Sequence, residues 1–233
     1  MLIPAAMGAA GPGSPELAGL RAACAAAVSD LLLAQLDLLV VVGGGPADRA
    51  YDWPAAGSLQ SFGVPWASGP GEPVLPLSLT VGGWLLAEAL REQAGSPVIQ
   101  FQAVATEGAA DDCLRLGAKL AAMAPRVALL VMGDACARKA AGVHGAADPE
   151  AERYDAGVAA ALAEADPDAL ARLDPGLDAK LMIAGRAAWQ VLAGAAAGAD
   201  AGLRGSLRCA MDPFDVTYLV ALWDLAPAAG QAG

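Results

Sequence analysis

Histidine is almost absent from this sequence, which contains a single one, His144, among 233 residues. Iron sites built from two histidines and a carboxylate, and histidine-rich zinc sites, need at least two imidazoles from one chain. A serine hydrolase triad would have to recruit the single histidine, and no GxSxG nucleophile elbow occurs. The sequence therefore argues against a histidine-based metal site and against a hydrolase triad.

Basic residues are also few, since 14 lysines and arginines stand against 25 aspartates and glutamates, giving a formal net charge of −11. Such a surface repels a phosphate backbone or an anionic membrane, so we expect neither nucleic acid nor a membrane as a partner. Apolar residues make up 56% of the chain, but no uninterrupted apolar run reaches the roughly 18 residues of a membrane-spanning helix. The first residues lack the basic stretch of a secretory signal.

Cysteine pairs with short spacing are missing as well. The four cysteines lie far apart and form no CxxC motif; they are Cys24, Cys113, Cys136 and Cys209. This spacing favours reduced thiols over a disulfide framework or a zinc site, and we expect three of the four to be small apolar side chains in the core. Together with the missing signal, it predicts a cytoplasmic protein.

Strand and helix patterns alternate along the chain. Apolar residues at three-to-four spacing predict a first helix over 16–35, and the β-branched run over 37–45 predicts a strand buried on both faces. Further strands are predicted at 2–7, 97–104 and 126–134, and further helices at 79–94, 108–124, 148–166 and 177–199. Residues 46–77 are long for a structureless connection, and we expect them to form a functional loop or lid.

This alternation predicts an α/β fold with a central mostly parallel or mixed sheet and helices on both faces. Residues 205–224 have the pattern of two antiparallel strands near an edge of that sheet. Because no repeat or extended linker divides the chain, we expect a single domain over 1–228 and a frayed tail over 229–233. Ligands of such sheets usually bind outside the carboxyl ends of the strands.

The segments that follow the strands offer three kinds of chemistry. Gly43 and Gly45 suggest a dinucleotide loop, but the third glycine of GxGxxG and the GK[ST] of a P-loop are absent, and a sharp strand exit with positive φ is simpler. Cys136 and His144 could form a thiolate–imidazole pair, although a buried thiol beside an exposed histidine is simpler. Five carboxylates could hold a hard cation: Asp134, Asp148, Glu150, Glu152 and Asp155. Those in the segment 148–153, at a helix start, are more simply explained by stabilisation of the helix dipole.

Several segments, taken in order, resemble one protein family. They are 36–46, 54–64, 75–86, 129–155, 181–196 and 212–223. Their order and residues look like those of actinobacterial proteins of the class III extradiol dioxygenase superfamily, which includes the protocatechuate 4,5-dioxygenase β-subunit and the Memo proteins. The stretch around Gly133 and Asp134 is the most specific part of the resemblance. It implies a mostly parallel or mixed sheet with a pocket at the strand ends.

Enzymes of that superfamily hold Fe(II) with two histidines and a carboxylate, and a further histidine acts as acid or base on a catechol ring. The resemblance implies histidines after the first and second strands, but 7–15 and 43–53 contain none. Memo-like members have a Gly-Asp-Leu-Ser-His type motif after the fourth strand. This chain has Gly133, Asp134, Ala135, Cys136 and Ala137 there. A methyl group thus stands where the imidazole would bind Fe(II) or move a proton.

We therefore predict a catalytically silent, metal-free member of the superfamily, with no cofactor and with a binding or protein-interaction role. Its pocket should lie where the N-terminal loop 8–14 meets the residues Gly44, Asp134, Cys136 and His144. Two alternatives stay open. One is an Fe(II)-dependent ring-cleaving oxidoreductase whose ligands are completed by a partner chain. The other is non-metal chemistry in the same pocket.

The partner expected from sequence is a second copy of the chain or another protein. Trp53 and Trp66 lie in the long loop, and aromatic side chains concentrate binding energy at interfaces. A lid that packs over its own pocket explains the same two tryptophans equally well. The sequence does not indicate which small molecule, if any, the pocket binds.

Overall fold

The computed structural model describes residues 17–91, 97–136, 149–199, 202–212 and 217–225, called the described residues below. Their strands are β1 (Leu38–Gly45), β2 (Arg49–Asp52), β3 (Gly57–Ser58), β4 (Ala67–Ser68), β5 (Val98–Ala105), β6 (Val127–Met132), β7 (Leu203–Met211) and β8 (Tyr218–Leu225). Their α-helices are α1 (Ala18–Leu33), α2 (Leu77–Leu90), α3 (Ala110–Ala121), α4 (Pro149–Glu164), α5 (Pro167–Ala171), α6 (Asp178–Leu181) and α7 (Arg186–Ala196). Residues Gln60–Phe62 and Pro175–Leu177 form short 3-10 helices.

The central sheet has the strand order β2-β5-β1-β6. The strands β5, β1 and β6 are parallel, with Val41 of β1 opposite Phe101 of β5 and Leu130 of β6. The edge strand β2 pairs with β5 in the antiparallel direction. An α/β fold with a mixed central sheet, as predicted from the alternation of patterns, is therefore confirmed.

Helices cover both faces of this sheet because the side chains of β1 alternate between them. On one face, Leu39 and Val41 pack in a buried cluster with residues of α1 and α2. On the other face, Val40 and Val42 pack with residues of α3 and α7. Since β1 is apolar on both sides, neither face can be left to solvent without exposing a row of branched side chains.

Two glycines bring α3 and α7 into backbone contact. A Cβ atom added to Gly117 of α3 would lie 2.0 Å from the carbonyl oxygen of Val191 on α7. A Cβ added to Gly194 of α7 would lie 2.0 Å from the carbonyl oxygen of Leu114 on α3. No side chain fits at either position while the helices keep this separation, so glycine is a packing requirement at both.

The segment 46–77, expected to be a loop or lid, contains a strand of the central sheet, and its functional role stays a prediction. Strand β2 was missed because it is only four residues long and is followed by proline and glycine. Its Tyr51 joins the apolar cluster that contains Phe101, and the ring of Trp53 stacks on Phe101 with centroids 5.5 Å apart. Long-range packing, rather than local pattern, therefore makes this segment a strand.

The prediction of one continuous helix over 177–199 is also wrong, because two helices occupy that range. Helix α6 ends at Leu181 and is followed by Met182, which has a left-handed backbone with φ of 55°, and α7 begins at Arg186. The break lets Leu181 and Ile183 both reach the same buried cluster, which a continuous helix would not allow for side chains two residues apart.

The C-terminal strands were correctly predicted to be antiparallel, since β7 and β8 pair along their length. Their expected place at an edge of the central sheet is wrong for the described residues, where the two strands form a separate sheet. The backbone of β7 packs closely on α4, because a Cβ on Gly205 would lie 2.4 Å from the carbonyl oxygen of Ala163. The hairpin is thus held by helices rather than by the sheet.

Some predictions lie outside the described residues. These are the first strand over 2–7, the loop over 8–14, and the residues His144 and Asp148. The single domain over 1–228 stays a prediction. In the part of the chain that is described, no helix is both long enough and apolar enough to cross a membrane.

Candidate functional site

The carboxyl ends of β1 and β6 bring Gly44 and Asp134 to the same edge of the sheet. The two strands are parallel, and Gly43 lies opposite Met132, two residues before Asp134. Ala184 joins the two positions: its N–H donates to the Asp134 carbonyl at 3.3 Å, and its carbonyl oxygen lies 3.1 Å from where a Cβ on Gly44 would be. The start of α7 is therefore placed directly over this edge.

The glycines that end β1 are needed for space rather than for backbone conformation. Among the described residues, the glycines with positive φ are Gly63, Gly69, Gly71 and Gly202, so the positive φ expected at the end of β1 is wrong. A Cβ on Gly43 would lie 2.6 Å from Oγ of Ser78, which donates to the Gly44 carbonyl at 2.7 Å. Glycine at position 43 thus lets α2 tie its first turn to the end of β1.

The Gly133–Asp134 segment packs against the first turn of α7. A Cβ on Gly133 would lie 2.8 Å from Nε1 of Trp189, and a Cβ on Gly185 would lie 2.8 Å from the Asp134 nitrogen. Asp134 is exposed. Burial raises the pKa of Tyr218, and the negative charge of Asp134 raises it further. The carboxylate of Asp134 therefore lies at the surface of the edge, within electrostatic reach of the Tyr218 phenol.

Cys136 follows this segment and is buried. Its N–H donates to Oδ1 of Asp155 at 3.0 Å, and its thiol donates to the Leu181 carbonyl at 3.0 Å. The other oxygen of Asp155 accepts a hydrogen bond from Oγ1 of Thr217 at 2.9 Å. The Asp155 carboxylate therefore joins three parts of the chain: the loop after β6, helix α4 and the start of β8.

This geometry decides the role of several candidate residues. Asp155 is 2% exposed and acts as a hydrogen-bond acceptor, which corrects its interpretation as a cation ligand. Glu150 and Glu152 lie in the first turn of α4, as the dipole interpretation expects, and Glu150 also pairs with Lys180. Within the described residues, no group of three or more His, Cys, Asp or Glu side chains could hold a metal ion.

The other cysteines are core residues or close to it. Cys24 and Cys113 are buried like Cys136, and Cys209 is half-buried. Burial raises the pKa of Cys24 to about 11, and it also raises the pKa of Cys113. Because only the thiolate is a good nucleophile, these two side chains are unreactive at neutral pH.

A buried arginine, which sequence reasoning missed, fixes the loops of this edge. Arg186 is 1% exposed, and its Nε donates to Oδ2 of Asp178 at 2.6 Å. Its Nη2 donates to the carbonyl oxygens of Thr106 and Gly108, at 3.1 and 3.0 Å. Its Nη1 donates to Oε1 of Gln190 at 2.6 Å. One guanidinium thus connects the loop after β5 with α6 and α7.

The network continues through Gln190, which is fully buried. Its Nε2 donates to the carbonyl oxygens of Ala171 and Leu173, at 3.2 and 3.0 Å, at the end of α5. The spacing of Arg186 and Gln190 by four residues is the one sequence signal, since such pairs share a helix face. That spacing alone does not reveal the carbonyl oxygens, which come from elements far away in sequence.

Two buried polar atoms near this network accept or donate no hydrogen bond within the described residues: Oδ1 of Asp178 and the hydroxyl of Tyr154. The side chain of Asp178 is 13% exposed. Burial raises its pKa and the ion pair with Arg186 lowers it, and because the effect of burial is larger, the pKa of Asp178 is raised overall. The pKa of Asp178 is raised because its Oδ1 has lost contact with water and accepts no hydrogen bond from the protein instead.

This raised pKa predicts how stability depends on pH. Between the ordinary aspartate pKa of about 4 and the raised one, the folded state binds more protons than the unfolded state. The contribution of Asp178 to stability is therefore lost as pH rises through that window. We expect Asp178→Asn to remove this part of the pH dependence when urea unfolding is measured from acid to neutral pH.

The control for this experiment is Asp52→Asn, which removes one negative charge from an exposed position. If both variants keep the pH profile of the wild type, the raised pKa of Asp178 is wrong.

Comparisons with known protein families and with curated proteins found no match to this chain. The function must therefore be inferred from the edge itself. There, backbone contacts and buried hydrogen bonds involve Gly133, Cys136, Asp155 and Arg186, while Asp134 is an exposed ionisable side chain.

Proposed function

We propose that this protein is a metal-free and catalytically silent relative of the class III extradiol dioxygenases, which acts by binding a ligand or a protein at the carboxyl edge of its sheet. The observation that carries the proposal is the set of side chains at this edge. In that superfamily, this is where iron would be held by two histidines and a carboxylate.

The side chains of the edge do not fit Fe(II). The whole sequence contains one histidine, whereas the superfamily site needs two as ligands and one more for proton transfer. The thiol of Cys136 donates to a carbonyl oxygen, and Asp155 accepts hydrogen bonds from Cys136 and Thr217. Asp134 offers an exposed carboxylate, but within the described residues no group of three or more His, Cys, Asp or Glu side chains lies together to hold a metal ion. No reaction step through iron is therefore proposed.

A binding role is supported by the rigidity of the edge. Arg186 ties the loop after β5 to α6 and α7, and Asp155 ties the loop after β6 to α4 and β8. Loops that are fixed before binding lose little conformational entropy when a ligand arrives. Asp134 is an exposed polar side chain that this edge offers to a ligand.

The proposal predicts that the protein does not retain iron. Protein purified without oxygen and supplied with Fe(II) should hold far less than one iron per chain, as measured by elemental analysis after gel filtration. It should also leave catechol uncleaved. Asp134→Asn is the matched variant, and it should retain the same background amount of iron as the wild type.

Stoichiometric iron with a micromolar or tighter dissociation constant, about 8 kcal/mol, would contradict this proposal. Iron that appears only in an oligomeric fraction would support the alternative enzyme, whose ligands are completed by a partner chain.

A second copy or another protein as partner is part of the proposal, although the two loop tryptophans support it less than expected. Trp53 stacks on Phe101, and Trp66 packs against a buried cluster of Leu59, Val64 and Val81. Both rings thus contact their own chain, as expected of a loop that packs on its own domain. Light scattering across protein concentrations should give twice the chain mass; a constant monomer mass would remove the homodimer from the proposal.

A further inference from the structure

A cavity of about 170 Å³ lies beside β5, on the face of the sheet that α3 covers. It forms because α3 lies over β1 and leaves the outer pair of β5 and β2 partly uncovered. The residue of β2 opposite Gln102 is Ala50, which has too small a side chain to fill the space. The cavity is separate from the carboxyl edge discussed above, since none of its lining residues belongs to that edge.

Gln102 supplies a hydrogen-bond acceptor to this cavity. Its side chain lines the cavity and is 8% exposed. Its Nε2 donates to the Ala103 carbonyl at 2.7 Å, which fixes the orientation of the amide. Oε1 accepts no hydrogen bond from the protein within the described residues, and it is not one of the fully buried atoms without a partner, so solvent reaches it. An amide oxygen that solvent reaches can exchange a water molecule for the hydroxyl group of a ligand.

Lys119 supplies a positive charge at the rim. It lines the cavity from the last turn of α3 and makes no ion pair within the described residues. Arg115, one turn earlier on the same helix, is paired with Asp112. In a chain with a net charge of −11, an unpaired ammonium beside a cavity is complementary to an anion.

The remaining wall includes the apolar side chains of Val40, Leu116, Leu120 and Met123, and a second amide, Gln100. At about 30 Å³ for each water-sized group, the volume suits a molecule of four or five carbons with its polar ends. We propose that this cavity binds a small aliphatic hydroxy acid, with its carboxylate at Lys119 and its hydroxyl donating to Oε1 of Gln102. This inference goes beyond the function proposed above, because it concerns a different site.

The test is a titration of the ¹⁵N-labelled full chain, followed by the amide resonances in NMR spectra. The probes are 4-hydroxybutyrate, butyrate, which lacks the donor, and 4-hydroxybutyramide, which lacks the charge. We expect saturable shifts at Gln100, Leu120 and Met123 with 4-hydroxybutyrate. The other two probes should bind roughly fivefold more weakly, as the loss of one hydrogen bond or ion pair predicts.

Variants of the protein test which residue binds each end of the ligand. Lys119→Gln should weaken 4-hydroxybutyrate roughly fivefold and keep its advantage over butyrate. Gln102→Leu should abolish that advantage, and the control Arg115→Gln should bind like the wild type. Equal binding of the three probes, shifts outside the cavity, or wild-type affinity in Lys119→Gln would overturn the proposal. If Gln102→Leu does not fold, the probe series and Lys119→Gln still decide.

Discussion

Gly117→Ala is expected to destabilise the protein by about 3 kcal/mol or more. The added Cβ would lie 2.0 Å from the Val191 carbonyl oxygen and 2.6 Å from the Ala195 nitrogen. Both neighbours are backbone atoms of α7, so no side chain can rotate away and the helices must separate. Separation would open the buried cluster that joins α3 and α7 to the sheet. Urea unfolding monitored by circular dichroism measures the change.

The structure supplies a matched pair of variants for this prediction. Gly194→Ala should have a similar cost, because its Cβ would lie 2.0 Å from the Leu114 carbonyl oxygen across the same contact. Gly157→Ala is the control, since Gly157 lies in the middle of α4, is exposed and has nothing within 4 Å of an added Cβ. It should stabilise the protein by about 0.5 to 1 kcal/mol. If Gly117→Ala behaves like Gly157→Ala, the close helix contact is wrong.

Arg186→Met is expected to destabilise the protein by about 3 to 5 kcal/mol. Methionine fills much of the volume but leaves Asp178 as a buried charge without its cation. It also leaves the carbonyl oxygens of Thr106 and Gly108 without their donor. The unfolding free energy at neutral pH, obtained from urea titration, measures the loss.

Two comparisons separate the ion pair from general effects of losing an arginine. Arg208→Met removes an arginine whose pair with Asp30 is exposed, and it should cost less than about 1 kcal/mol. The double variant Arg186→Met with Asp178→Asn should be more stable than Arg186→Met alone, because the isolated charge is gone. A double variant no more stable than the single one would show that the lost hydrogen bonds to carbonyl oxygens dominate instead.

The placement of Gly44 and Asp134 at one edge could be predicted from sequence. The strands β1 and β6 are runs of apolar residues, and such runs between helices form parallel strands whose ends meet. Nothing in the sequence near Cys136 reveals its partners, because Asp155 and Leu181 lie far along the chain. The sequence therefore could not predict which group the Cys136 thiol contacts, although it could predict that the thiol is buried.

The apolar patterns along the chain are enough to predict the strands β1, β5 and β6, the helices α1 and α3, and hence the α/β class. These segments have apolar patterns strong enough to form one element in any fold that buries them. Three other features depend on contacts made in the folded chain: β2 joins the sheet, a helix ends at Leu181, and Arg186 is buried. In each case the stabilising contacts come from residues distant in sequence: Phe101 for β2, the shared cluster for Leu181 and Ile183, and two carbonyl oxygens for Arg186. Local propensity is worth less than about 1 kcal/mol per residue, so such contacts override it.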